Sequence, residues 1–285
     1  MNFDCGGRTL PLERVAIMGV LNATPDSFFD GGRYLQVEDA IRHAKGMVAE
    51  GATVIDVGGE STRPGSKEID AGEEIRRVVP LIRELAAELS VPISVDTSKP
   101  EVMIAAVEAG AGLINDVRAL RSPRALQTAC ELGVPICLMH MKGDPPTMQA
   151  DPRYQDVVTE VREFLVHRIA ICEKAGIPVS QLLIDPGFGF GKTFEHNRRL
   201  LADLDVFTKI GPPLVVGLSR KGFVATLLGD LKCDRSIGSA GLAMLAAQKG
   251  AQVVRVHDVA VTRDLILILE QLKAIDRGIE DCTNE

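Results

Sequence analysis

Eight short apolar, β-rich runs recur along the chain, and a segment with helical periodicity follows each of them. They are VAIMGVL (15–21), TVIDV (53–57), PISVD (92–96), GLIND (112–116), PICLMH (135–140), LLIDP (182–186), LVVGL (214–218) and VVRVH (253–257). Continuous apolar strands alternating with helices indicate a parallel sheet covered on both faces. Eight such units favour closure into a (β/α)8 barrel over an open doubly wound sheet. The 285 residues fit one domain, because single barrels run to about 250 residues.

The intervening segments support this pattern. Val37, Ile41, Ala44 and Val48 share one helical face, as do Ile75, Val78, Val79, Ile82 and Leu85. Gly51, Gly110, Gly133, Gly176 and Gly250 stand where a helix should stop before the next strand. Ahead of the first strand, FDCGGRTLPL (3–12) is expected to form a small hairpin over one end of the barrel.

Net charge is −7 with both signs dispersed, and no basic run tracks nucleic acid or a membrane surface. Neither is expected as a partner. A small anionic substrate stays compatible, since a site can be locally positive on an acidic protein. The six cysteines form no C-x-x-C pair and are expected to be free thiols in a reducing compartment. The N-terminal residues lack the layout of a signal peptide, and no apolar run approaches spanning length. A cytoplasmic location is the expectation.

Polar residues unusual for buried strands gather at or just beyond strand C-terminal ends: Asn22, Thr62, Arg63, Asp96, Asn115, His140, Asp185, Ser219, Arg220, Lys221, Arg255 and His257. A closed barrel brings these ends to one face, where such folds build their active sites. Asp96, Asn115 and Asp185 each end an apolar strand. Either cations from neighbouring strands satisfy them, or they face a flat heterocycle bearing amino, ring N–H and keto groups. NATPDSFFDGG (22–32) carries Phe28 and Phe29 in a loop, as a water-excluding lid would. GGESTRPGS (58–66) offers close backbone approach and donors from Ser61, Thr62 and Arg63 to an anion. In DPGFGFGK (185–192), Phe188 and Phe190 can stack on a ring or belong to the core. SRK (219–221) and RVH (255–257) put three cations and an imidazole on adjacent strand ends, and residues 255 and 257 point the same way. With Asn22 they suit a polyanionic leaving group, and Mg2+ is the expected companion because it takes few protein oxygens beside phosphate. No zinc-type cluster, Walker or Rossmann fingerprint, or G-x-S-x-G elbow occurs.

Taken together, VLNATPDSFFDGGRY, GATVIDVGGESTRPG, SVDTSKP, INDVR, LMHMKGDPPTMQ, DPGFGFGK, GLSRK and RVHDV resemble the dihydropteroate synthase family, in the family's order and over nearly the whole chain. Ala23 and Phe29 depart from the residues often found there. The resemblance implies a homodimeric transferase that joins a dihydropterin diphosphate to p-aminobenzoate and releases pyrophosphate. It implies that Asp96, Asn115, Asp185 and Lys221 hold the pterin, that Lys221 can contact both substrates, and that Met139 is a further substrate-binding residue. Asn22, Thr62, Arg255 and His257 would hold the diphosphate, Asn22 through Mg2+. Arg63, Phe28, Phe190 and Ser219 would line the p-aminobenzoate site. Asp96, Asp185, Lys221, Arg255 and His257 would carry the chemistry, without a protein nucleophile. A lapsed pterin-binding paralogue and a methyltetrahydrofolate-dependent methyltransferase are the competing functions. The dimer would form through the last helices, IGSAGLAMLAAQKG (237–250) and DLILILEQL (264–272).

Overall fold

The computed structural model describes residues 2–23, 33–62 and 65–276. The expected hairpin is present as β1 (Asn2–Cys5) and β2 (Arg8–Pro11), paired antiparallel. Every predicted apolar run then forms a strand: β3 (Ala16–Asn22), β4 (Val54–Gly58), β5 (Ile93–Asp96), β6 (Leu113–Asp116), β7 (Ile136–Met139), β8 (Leu182–Asp185), β9 (Val215–Val216) and β10 (Val253–Val256). They pair in parallel in the order β8-β7-β6-β5-β4-β3-β10-β9. A further parallel bridge, Ile184 to Leu214, joins β8 to the start of β9 and closes the (β/α)8 barrel.

Helices connect the strands: α1 (Arg33–Glu50), α2 (Ala71–Glu88), α3 (Pro100–Glu108), α4 (Ala125–Leu132), α5 (Val157–Lys174), α6 (Phe194–Ala202), α7 (Asp205–Thr208), α8 (Gly222–Leu228), α9 (Ser236–Gln248) and α10 (Val259–Asp276). The five glycines expected to stop helices all have positive φ, from 66° to 115°. Strands are buried on both faces because helices cover the outside while side chains fill the lumen.

The lower lumen is apolar. Met18, Val54, Leu113, Cys137, Leu183, Val215 and Val253 pack together there, and Phe3, Cys5, Leu10 and Leu12 of the hairpin close the cluster from below. The backbones meet so closely that a Cβ on Gly112 would lie 2.0 Å from the Cys5 carbonyl oxygen. Gly112→Ala is therefore expected to destabilise the fold by about 1–3 kcal/mol through overpacking. For a chain of this size that lowers Tm by roughly 2–10 °C. An unchanged melting curve would show that the hairpin yields freely.

Candidate active site

Side chains alternate along a strand, so register decides which residues share the lumen. Gly58, Asp96 and Asn115 are partners across β4, β5 and β6, and Met139 and Asp185 are partners across β7 and β8. Above the apolar floor this parity turns Asp56, Asp96, Asn115, Asp185 and Arg255 toward one another. The hub is Arg255. Its Nε donates to Asp56 Oδ2 at 2.6 Å and its Nη2 to Asp96 Oδ2 at 2.8 Å, while Asn115 Nδ2 donates to the same Asp56 oxygen at 3.1 Å. Neither arginine bond uses Nη1.

The first alternative for the strand-end carboxylates holds for Asp96. Asp96 is paired with a cation from another strand. Asp185 instead accepts from the Gly187 N–H of its own loop at 2.7 Å and faces Lys221 electrostatically. Asp56 is the residue that motif inspection missed. It is fully buried, and its Oδ1 has no hydrogen-bond partner among the described residues. Its signal was available: a lone charge inside TVIDV, in phase with Val54 and Gly58.

Burial dominates the electrostatics of the group. It pushes the Asp96 carboxyl up to about 7, against the pull of Arg255 and with help from Asp56. Burial also raises Asp185, opposed by Lys221. The Lys221 ammonium is pushed down by burial to about 8, with Asp185 holding it up. For Arg255 burial is the largest single influence and acts downward, yet Asp56, Asp96 and Asp185 together overcome it and raise the group further. A carboxyl and an amine brought close to neutrality in one lumen are a functional-site signature.

Of the three cations expected at these strand ends, only two face the lumen. Arg220 adopts φ 56° and turns outward to chelate Asp258, with Nε 3.0 Å from Oδ2. That left-handed residue reverses the chain between Ser219 and Lys221 and sends the two arms of the SRK string apart. Lys221 points in, donating to the Phe188 carbonyl and lying 4.7 Å from the centre of the Phe190 ring. Ser219 Oγ accepts the His257 N–H at 3.1 Å and sits 2.9 Å from His257 Nδ1, so the ends of β9 and β10 are tied together. Phe188 is wholly core, whereas Phe190 is half-buried against Val117, Met139, Met141 and Met148. His140 also leaves the site. It packs on Tyr154 and Phe164, and burial drives its pKa down to about 2.

Asn22 and Thr62 are half-buried at the rim of this face, at the end of β3 and in the loop beyond β4. Phe28, Phe29 and Arg63 lie outside the described residues. The second loop is held by a link that no local pattern announces. Lys99 Nζ lies 2.6 Å from both Glu60 and the buried Glu74, which joins the loop to the start of α3 and to α2. Beside it a cleft of about 570 Å³ opens, with Thr62, Asp96, Lys99, Val117 and Arg118 among its walls. Among the described residues no group of three His, Cys, Asp or Glu side chains is arranged to hold a metal, and no helix is long and apolar enough to cross a membrane.

A deep lumen of hydrogen-bonding carboxylates beneath a cationic, hydroxyl-bearing rim suits a planar amino heterocycle attached to an anion. Comparison with known proteins agrees. Residues 18–257 match the family described as pterin binding enzyme. The dihydropteroate synthase of Escherichia coli (strain K12) is 49% identical over 270 residues, covering 95% of this chain and 96% of its own. The Xanthomonas albilineans dihydropteroate synthase, solved with 4-aminobenzoic acid, superposes with a TM-score of 0.90 at 49% identity, over 96% of this chain and 98% of that one. The same organism's enzyme in complex with 7,8-dihydropteroate gives a TM-score of 0.87 at 46% identity, over 96% and 99%. The chain belongs to the pterin-binding enzymes and, within them, to the dihydropteroate synthase family.

Proposed function

We propose that this chain condenses 6-hydroxymethyl-7,8-dihydropterin diphosphate with p-aminobenzoate to give 7,8-dihydropteroate and pyrophosphate. The observation that carries the mechanism is the lumen network of Arg255 with Asp56 and Asp96, with Asp185 and Lys221 in the same lumen. Asp96, Asn115 and Asp185 would accept and donate along the edge of the pterin, and Met139 and Val117 would cover its face.

The methylene–oxygen bond breaks and its electron pair leaves with the diphosphate. The cation left behind is delocalised into the electron-rich pterin. Carboxylates aimed at that ring in a dry lumen stabilise it electrostatically. Asp96 near 7 is ready for this role, since positive charge developing on the ring favours its ionised form and the proton passes to solvent. The arylamine nitrogen then forms the new C–N bond and releases a proton. Phe190, Ser219, Lys221, Arg63 and Phe28 are assigned to hold p-aminobenzoate. Thr62, His257, Arg255 and Asn22 are assigned to the diphosphate. Cys137 lies in the lower lumen and burial holds it strongly as the thiol, so it offers no thiolate nucleophile.

Mg2+ is proposed to enter with the diphosphate. Asn22, a neutral amide with no metal-type acidic cluster among the described residues, would suit an ion that takes most of its ligands from phosphate and water. When bound, it would neutralise charge on the departing group.

Exposed Leu227, Leu228, Leu231, Ile237, Leu267, Ile268 and Leu272 spread over α8–α10, with exposures of 41–74%. Apolar exposure on that scale supports a homodimer through the last helices. Sedimentation equilibrium should give twice the 30.6 kDa chain mass, and a monomer at micromolar concentration would refute it. Free Cys5, Cys130, Cys137, Cys172 and Cys233 support a reducing, cytoplasmic setting.

The decisive test of function is pyrophosphate release with both substrates present. Release that requires p-aminobenzoate, and that a sulfonamide suppresses in competition with it, is expected. No release above background would favour a lapsed paralogue or a methyltransferase.

A further inference from the structure

Residues 187–191 form no regular element, yet each of their five carbonyls accepts from a side chain. Gly187 and Phe190 accept from Lys192 Nζ at 2.8 and 3.1 Å. Phe188 accepts from Lys221 and Gly189 from Gln149. Gly191 accepts from Tyr154 Oη at 2.8 Å. Buried carbonyls outside helices and sheets must find donors, and here long side chains supply them. The loop also lies flush on the segment after β7. A Cβ on Gly187 would sit 1.9 Å from the His140 carbonyl oxygen, at a φ of +70°.

Lys192 is the unusual member. It is 3% exposed, and none of its three hydrogen-bond partners is a carboxylate: two are the loop carbonyls and the third is His140 Nδ1 at 2.9 Å. An amine buried this way is costly unless every position is satisfied. Three partners complete it in either protonation state, as an ammonium donating to the imidazole or as an amine accepting from it. Burial favours the neutral forms of both groups.

We propose that Lys192, backed by His140, is a positioning residue for the p-aminobenzoate half of the site. It touches neither substrate. By bridging the Gly187 and Phe190 carbonyls it fixes where the Phe190 ring stands. The inference rests on the assignment of Phe190 to p-aminobenzoate.

Steady-state kinetics of the full-length enzyme in both substrates tests it. Lys192→Met should raise KM for p-aminobenzoate ~10-fold or more, since misplacing a binding group by about 1 Å can cost up to ~100-fold. KM for the pterin diphosphate and kcat at saturation should stay within about 3-fold. Lys192→Gln, which keeps two donors, should recover part of the loss. A purely structural role would instead lower the active fraction and leave both KM values alone, and that result overturns the proposal. Should Lys192→Met not fold, Tyr154→Phe and Gln149→Ala each remove one flanking donor. Both should shift the same KM in the same direction, and no shift in either overturns the proposal. Phe190→Ala separates the two levels. If it raises KM for p-aminobenzoate and Lys192→Met does not, only the positioning inference fails. If Phe190→Ala has no effect, the assignment of the site fails and the inference with it.

Discussion

Arg255→Ala is expected to lower kcat/KM for the pterin diphosphate by about 10²–10⁴-fold. The residue ties Asp56 and Asp96 together, and Asp56 is wholly buried. Removing one partner of a buried ion pair typically costs about 3–5 kcal/mol, because the remaining charge has no compensation. Losing a fully desolvated charge contact to a bound group likewise costs about 2–5 kcal/mol or more, which at about 1.4 kcal/mol per factor of ten reaches the expected loss. Asp96, already raised by burial, would rise further without the guanidinium and sit protonated at neutral pH. Calorimetry with free pterin separates the two duties assigned to Arg255. Affinity reduced at least ~10-fold would show that it organises the pterin carboxylates, as expected for a fully desolvated contact. Unchanged affinity would restrict it to the diphosphate. Arg255→Lys should fall between wild type and alanine, since a point charge cannot reproduce the fork onto two carboxylates.

The profile of kcat/KM against pH is expected to be a narrow bell with limbs near 7 and 8. That ratio reports ionisations of the free enzyme. Asp96 acts as the carboxylate, a form present above about 7, so activity falls as pH drops through that value. Lys221 acts as the ammonium, a form present below about 8, so activity falls as pH rises through it. Burial causes both shifts, and it moves the acid up and the base down until their working ranges barely overlap. Asp96→Asn should flatten the acid limb at a lower ceiling, and Lys221→Met the alkaline one. Limbs that persist in both variants would belong to the substrates, and a wild-type profile flat from pH 6 to 9 would refute the assignment.

Much of this site is open to inspection of the chain. Asp96, Asn115 and Asp185 stand out because each is a polar residue terminating an apolar run, and such residues need a reason to be there. Asp56 carries the same signal but lies inside its strand rather than at the end, where turn motifs draw attention. Arg220 and Lys221 are adjacent cations in one string, and nothing local separates the one that pairs with Asp258 from the one that enters the lumen. A single residue at φ 56° decides that. Lys99 is likewise unremarkable in SVDTSKP, since its partners Glu60 and Glu74 lie 39 and 25 residues away.

The sequence by itself determined the eight strands, the closed barrel, the hairpin beneath it and the face on which polar groups gather. These follow from continuous apolar runs, helical periodicity and glycine stops, which are local and repeat along the chain. The tertiary structure alone decided that Arg255 meets Asp56 and Asp96 across 199 and 159 residues, and that Lys192 is enclosed with His140 beneath the loop. Those pairings depend on strand register and barrel closure, and the desolvation that tunes Asp96 and Lys221 exists only once the lumen has closed around them.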